Sequence, residues 1–172
     1  MIWRQSVVIF VCTFAAVIVE LTLLSRLGLP GATPDLVVVT VVALALAMGP
    51  TQGATAGFCA GILLDLAPPA DTLLGVNAIV YLAVGFITGF IIDPRDRTVP
   101  VMIGIVGLST AAATLATAIL DTLLGSNRVA WDQMPSIVLT STLYAVIMAP
   151  VVVLGVAWIV RRVTPEVAVI SG

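Results

Sequence analysis

The chain of 172 residues contains no histidine and no lysine, and it has only two cysteines. The lack of histidine excludes His-containing zinc and haem sites and a His-dependent catalytic triad. Cys12 and Cys59 lie inside apolar runs without CxxC spacing, and we interpret them as small packing residues. A membrane-embedded hydrolase or transferase is a third hypothesis, but no serine or cysteine stands beside a base. We predict no catalytic residue, no metal site and no cofactor.

Charge is also scarce, because charged residues make up 9% of the chain whereas soluble domains carry roughly a quarter. Hydrophobic residues make up 60%, and the mean hydropathy is +1.22. Such a chain has too few polar side chains to cover its surface in water. We therefore predict a single-domain, all-α integral membrane protein whose environment is the lipid bilayer, with no nucleic acid partner.

Glycine- and proline-rich stretches divide the chain into six apolar segments, which predict six transmembrane helices. The segments cover residues 5–24, 35–48, 51–66, 73–92, 99–124 and 135–160. The second and third are separated only by Gly49-Pro50, a pair that favours two helices over one long helix. Each of these two is roughly 21–24 Å long, which is short for a bilayer core of about 30 Å.

The distribution of arginine favours six spans over five. With six spans and a cytoplasmic N-terminus, the cytoplasmic arginines are Arg4, Arg95, Arg97, Arg161 and Arg162. A five-span chain would place the last four of these outside, against the positive-inside bias of short loops. We therefore expect both termini in the cytoplasm, and we interpret the N-terminal segment as a retained span and not as a cleaved signal peptide.

Carboxylates concentrate in the outer third of this topology, where Asp35 lies. Three others lie in the last turns of outward-running helices, namely Glu20, Asp65 and Asp121. A carboxylate there is unfavourable both for the helix dipole and in lipid, so each requires a partner. One interpretation is contact with lipid headgroups, Arg26 or Arg128. The other is a polar cleft that opens outward and serves a ligand or a partner helix.

Small and polar residues recur at every fourth position in the third and fourth segments. The third carries Gly53, Gly57, Gly61 and Asp65, and the fourth carries Asn77, Tyr81, Gly85 and Gly89. This spacing places the residues on one helix face and lets two backbones approach closely in lipid. We expect the two helices to pair antiparallel, with Asp65 as an assembly lock at their outer end. Its expected partners are Asn77, Arg26 or a backbone donor of the connecting loop.

The stretch "GFCAGILLDLAPPADTLLGVNA" resembles the MreD family of rod-shape-determining membrane proteins. The similarity comprises a Gly-xxx-Gly-xxx-Asp helix, a short proline-containing loop and Leu74-Gly75 at the start of the next span. The preceding "TPDLVVVTVVALALAMGPTQGA" resembles the family's second span. The specific similarity covers residues 33–92, and the rest of the chain agrees in length and in the six-span outline.

The resemblance implies a membrane scaffold and not an enzyme, with a bundle similar to the S-component of energy-coupling-factor vitamin transporters. It implies a role in cell elongation and lateral peptidoglycan synthesis at the bacterial cell (inner) membrane. The implied partner is MreC, a single-span protein with an extracytoplasmic domain, and further candidates are MreB, RodA and a transpeptidase of the elongation complex. The candidate assembly residues are Gly53, Gly57, Gly61, Asp65, Asn77, Gly85, Gly89, Asp35, Glu20 and Asp121.

The alternative hypothesis is the substrate-binding membrane subunit of such a vitamin transporter. That class usually carries an Ala-xxx-Ala stripe on its first helix, whereas Ala15 and Ala16 are adjacent here. The outer loops also supply only Trp131 as an aromatic residue for a pocket. Both features favour the scaffold over the vitamin-binding subunit.

Overall fold

The computed structural model describes residues 2–22, 35–67, 74–92, 98–125 and 131–163. These residues form six α-helices and a 3-10 turn at Trp131–Gln133, with no β-strand among them. The helices are α1 (Ile2–Thr22), α2 (Leu36–Met48), α3 (Pro50–Leu66), α4 (Val76–Ile91), α5 (Val99–Leu123) and α6 (Met134–Val163). The all-α class predicted from the sequence is confirmed, and the helices number six as expected.

Helix α2 forms the centre of the bundle and contacts each of the other five helices. Its sequence, LVVVTVVALALAM, has no polar face, and every residue except Ala47 is buried. A helix that is apolar all round needs apolar neighbours on every side. This explains how a helix of 13 residues, roughly 20 Å long, is accommodated, because its surroundings are other helices.

The corner between α2 and α3 is made by Gly49 and Pro50. Gly49 ends α2 with φ 99° and ψ −179°, a conformation that L side chains rarely adopt. Pro50 follows as the first residue of α3. A backbone N–H at this position would have no acceptor within the helix, so its absence in proline costs no hydrogen bond. The predicted division into two short helices at this point is confirmed.

The surface of the bundle is apolar along its longer helices. On α6, one face carries five side chains that are each more than half exposed, namely Leu139, Leu143, Ile147, Val151 and Leu154. Three helical segments are long and apolar enough to cross a membrane: Trp3–Thr22, Val99–Leu123 and Trp131–Val163. Helices α2 and α4 are apolar but shorter. Apolar surface of this extent is unfavourable in water and is typical of a protein surrounded by lipid.

The two ends of the bundle carry opposite charge among the described residues. At one end, where α1, α3 and α5 finish and α2, α4 and α6 begin, lie Glu20, Asp35, Asp65 and Asp121. We call this the acid end. At the other end lie Arg4 near the start of α1 and Arg161 and Arg162 in the last turn of α6. The Arg162 guanidinium lies 4.7 Å from the centre of the Trp158 ring, a cation–π contact.

Candidate functional site

Helices α3 and α4 pack with their backbones in direct contact. A Cβ atom built on Gly57 would overlap the backbone carbonyl of Tyr81, and one built on Gly61 would overlap the backbone of Ala78. The contact is therefore made by main-chain atoms, and it leaves no space for a methyl group at either glycine. Close approach of this kind maximises van der Waals contact between helices.

The same contact continues towards the start of α3. A Cβ atom on Gly53 would lie 2.5 Å from the carbonyl oxygen of Gly85, and one on Gly89 would lie 2.7 Å from the Cα atom of Pro50. Both distances are shorter than real Cβ contacts. The two glycine series identified in the sequence thus face each other along the full length of the helix pair.

Asp65 ends this interface at the acid end by binding the start of α4. Its Oδ2 atom accepts hydrogen bonds from the backbone N–H groups of Gly75 at 2.8 Å and Ala78 at 3.3 Å. Gly75 is the N-cap residue of α4 and has φ 94°, and as a glycine it has no side chain with which to cap the helix. Asp65 therefore supplies from α3 the cap that the sequence of α4 lacks.

The start of α2 is capped by two carboxylates. The Oδ1 atom of Asp35, the N-cap residue, accepts from the N–H of Val38 at 2.9 Å, and Glu20 Oε2 accepts from the N–H of Val37 at 2.9 Å. Both valines are fully buried, so their N–H groups have no access to water. The position of Glu20 in the last turn of α1 is thus explained by the backbone N–H of α2 that it binds.

Tyr81 connects α4 to the capped start of α2. Its hydroxyl donates to Asp35 Oδ2 at 3.0 Å, and its side chain is 6% exposed. The sequence places this tyrosine at one of the every-fourth positions of α4 but does not indicate what its hydroxyl binds. The phenol thus bridges the glycine interface and the carboxylates of α2.

Asp121, in the last turn of α5, is the exception among these acids. It is 7% exposed, and its Oδ1 atom has no hydrogen-bond partner in the part of the chain that the structure describes. Glu20 and Asp65 each bind the first turn of the helix that follows in the chain. The corresponding helix for Asp121 is α6, which is preceded by the 3-10 turn at Trp131–Gln133.

A cleft of about 350 Å³ opens at the acid end beside Asp121. Its walls are the starts of α2, α4 and α6 and the last turns of α5. The polar residues that line it are Asp35, Asn77, Tyr81, Thr114, Thr117 and Asp121. The arrangement offers carboxylate, hydroxyl and amide groups, and it contains no cationic side chain among the described lining residues.

The candidate assembly residues fall into three groups in the structure. Five glycines and Asp65 form the α3–α4 interface, Glu20 and Asp35 cap α2, and Asp35, Asn77 and Asp121 line the cleft. Arg26 and Arg128, which were considered as partners of the carboxylates, lie outside the described residues. Of the partners expected for Asp65, the backbone donors at the start of α4 are present.

Comparisons of this chain with protein-family models, with curated proteins and with solved structures find no match.

Proposed function

We propose that all six helices lie across a bacterial cell (inner) membrane, with both termini in the cytoplasm and the acid end facing outward. The apolar exterior and the separation of acids from arginines support this arrangement. The shorter helix α2 is surrounded by protein, so its length exposes no polar backbone to lipid. This topology is the premise of the functional proposal below.

Cysteine labelling tests the topology at two connecting segments. In a chain carrying Cys12→Ala and Cys59→Ala, we expect a membrane-impermeant maleimide to label Ser126→Cys in intact spheroplasts. Thr98→Cys should react only after the membrane is permeabilised, because it precedes α5 on the cytoplasmic side. Labelling of both or neither position before permeabilisation, or the reverse pattern, would contradict the six-span arrangement with cytoplasmic termini.

We further propose that the chain is a non-enzymatic membrane scaffold of the cell-elongation machinery that binds a single-span partner similar to MreC. The supporting observation is that the resemblance to the MreD family, over residues 33–92, coincides with α2, α3 and α4. These helices form the most tightly packed part of the molecule, with backbone contact along α3 and α4 and with α2 at the centre.

The use of the carboxylates agrees with a structural role. Glu20, Asp35 and Asp65 all bind backbone N–H groups at helix starts, so they hold the bundle in one register. A bundle with such fixed helix ends presents a rigid surface, which is what docking of a partner helix requires.

Purification from the native host in a mild detergent tests the scaffold. We expect mass spectrometry to identify a single-span protein with a large outer domain in near-stoichiometric amount. An unrelated tagged membrane protein purified in parallel gives the background. Recovery of an ATPase assembly together with a bound vitamin would contradict the scaffold proposal and support the transporter subunit.

The cleft at the acid end favours the transporter subunit as the second candidate function. Its volume of about 350 Å³ falls in the range of small-molecule sites, and it combines apolar with polar lining residues. Tyr81 is the one aromatic residue among the described residues that line it. Ligand sites are usually richer in aromatic side chains, so the scaffold remains the first proposal.

A further inference from the structure

The six helices form three consecutive pairs, and the pairs resemble one another at the acid end. In each pair the first helix has a carboxylate in its last turns, namely Glu20 on α1, Asp65 on α3 and Asp121 on α5. The negative end of the helix dipole makes a carboxylate unfavourable there unless donors face it. For the first two pairs, those donors are backbone N–H groups at the start of α2 and α4.

In the third pair, no donor for Asp121 Oδ1 is present among the described residues. Asp121 is more than nine-tenths buried, yet this atom receives no hydrogen bond from that part of the chain. A buried polar group without a partner is destabilising, and more so when it is charged. The described arginines do not meet this need, because Arg4, Arg161 and Arg162 lie at the opposite end of the bundle. None of the described side chains or backbone groups therefore supplies a donor to this oxygen, which borders the open cleft.

The side chains around Asp121 favour a cation over an anion. The cleft also contains Asp35, and the hydroxyls of Thr114 and Thr117 lie along the same stretch of α5. An anion would meet two carboxylates here, whereas a primary ammonium group finds a counter-charge and neutral acceptors for its three N–H donors.

The space next to the cleft is apolar. A groove of about 320 Å³ runs between α5 and α6 and is lined by Leu115, Val138, Leu139 and Thr142, together with Met134. Met134 also lines the cleft, so this side chain borders both spaces. A ligand with its charge at Asp121 can therefore extend an alkyl chain over Met134 into the groove.

We infer that the acid-end cleft is a binding site for an alkylammonium ion, with the ammonium group at Asp121 and the alkyl chain along the α5–α6 groove. The site is distinct from the α3–α4 interface and does not depend on the proposed scaffold role. Asp121 provides the charge, and Thr114 and Thr117 provide further acceptors.

Equilibrium dialysis of the purified full chain in a nonionic maltoside detergent tests the site, with empty micelles as the blank. We expect saturable binding of hexylammonium and at least tenfold weaker binding of hexan-1-ol and hexanoate, which share its chain and lack its positive charge. Asp121→Asn keeps the side-chain shape and should weaken hexylammonium binding at least tenfold. Thr117→Val should weaken it by about tenfold, since a charge-assisted hydrogen bond is lost and the shape is kept.

The matched control is Asp132→Asn, which removes the same charge from an exposed residue of the 3-10 turn and should leave binding unchanged. Circular dichroism and gel filtration establish that each variant is folded, and Thr117→Val serves as the test if Asp121→Asn is not. Equal binding of the three hexyl compounds, or equal loss in Asp132→Asn, would refute a specific site. Binding that arises only in an Arg128→Gln chain would assign Asp121 to an internal ion pair and overturn the proposal.

Discussion

Gly57→Ala is expected to disrupt the pairing of α3 and α4 and to reduce the yield of folded protein several-fold. The added methyl group would overlap the backbone carbonyl of Tyr81, and a backbone atom cannot move aside without moving its helix. Overpacking in a core typically costs about 1–3 kcal/mol, and a clash between two backbones belongs at the upper end of that range. Tyr81 would also shift relative to Asp35, so the effect should extend to the start of α2.

The matched control is Gly155→Ala, because a Cβ atom at this helical glycine meets nothing within 4 Å. This substitution should be neutral or should stabilise α6 slightly, by up to about 1 kcal/mol, since alanine has the higher helix propensity. Thermal unfolding in detergent, followed by circular dichroism and by the monodisperse fraction on gel filtration, measures both variants. Equal stability of Gly57→Ala and Gly155→Ala would show that the two backbones are not in contact.

The second large effect is expected at Asp65. Here the Asn substitution removes only the charge, whereas the Leu substitution also removes the hydrogen-bond acceptor. Asp65→Leu removes the acceptor of the half-buried Gly75 N–H and leaves the buried N–H of Ala78 unsatisfied, which costs about 1–3 kcal/mol. Asp65→Asn should retain most of the stability, because both donors bind the same atom, Oδ2, and one amide oxygen can occupy its place. The ordering wild type, Asn and then Leu is the specific expectation.

Thermal unfolding midpoints and recovery of the co-purified partner measure this series, and Asp132→Leu provides an exposed acid at the same end as the control. An Asn variant as unstable as the Leu variant would mean that the negative charge itself is required. A Leu variant as stable as wild type would mean that the cap on α4 contributes nothing. Either outcome would exclude the neutral hydrogen-bonded lock that the geometry indicates.

The all-α class, the number of helices and the break between α2 and α3 are properties that the sequence determines by itself. Composition indicates a surface too apolar for water, and the Gly49-Pro50 pair ends one helix and starts the next through backbone preferences that act locally. The glycine series on α3 and α4 also indicate close approach, because a helix places every fourth residue on the same face. Each of these inferences depends on residues close together in the chain.

Only the tertiary structure decides what each carboxylate binds. The donors are backbone N–H groups, which every residue but proline has, and they become available only where a helix starts beside the acid. Asp35 and Tyr81 meet across 46 positions of the chain, a contact that no local spacing encodes. Asp121 differs from Glu20 and Asp65 for the same reason. All three lie in the last turns of a helix, and only the packing shows that no described residue donates to Asp121 Oδ1.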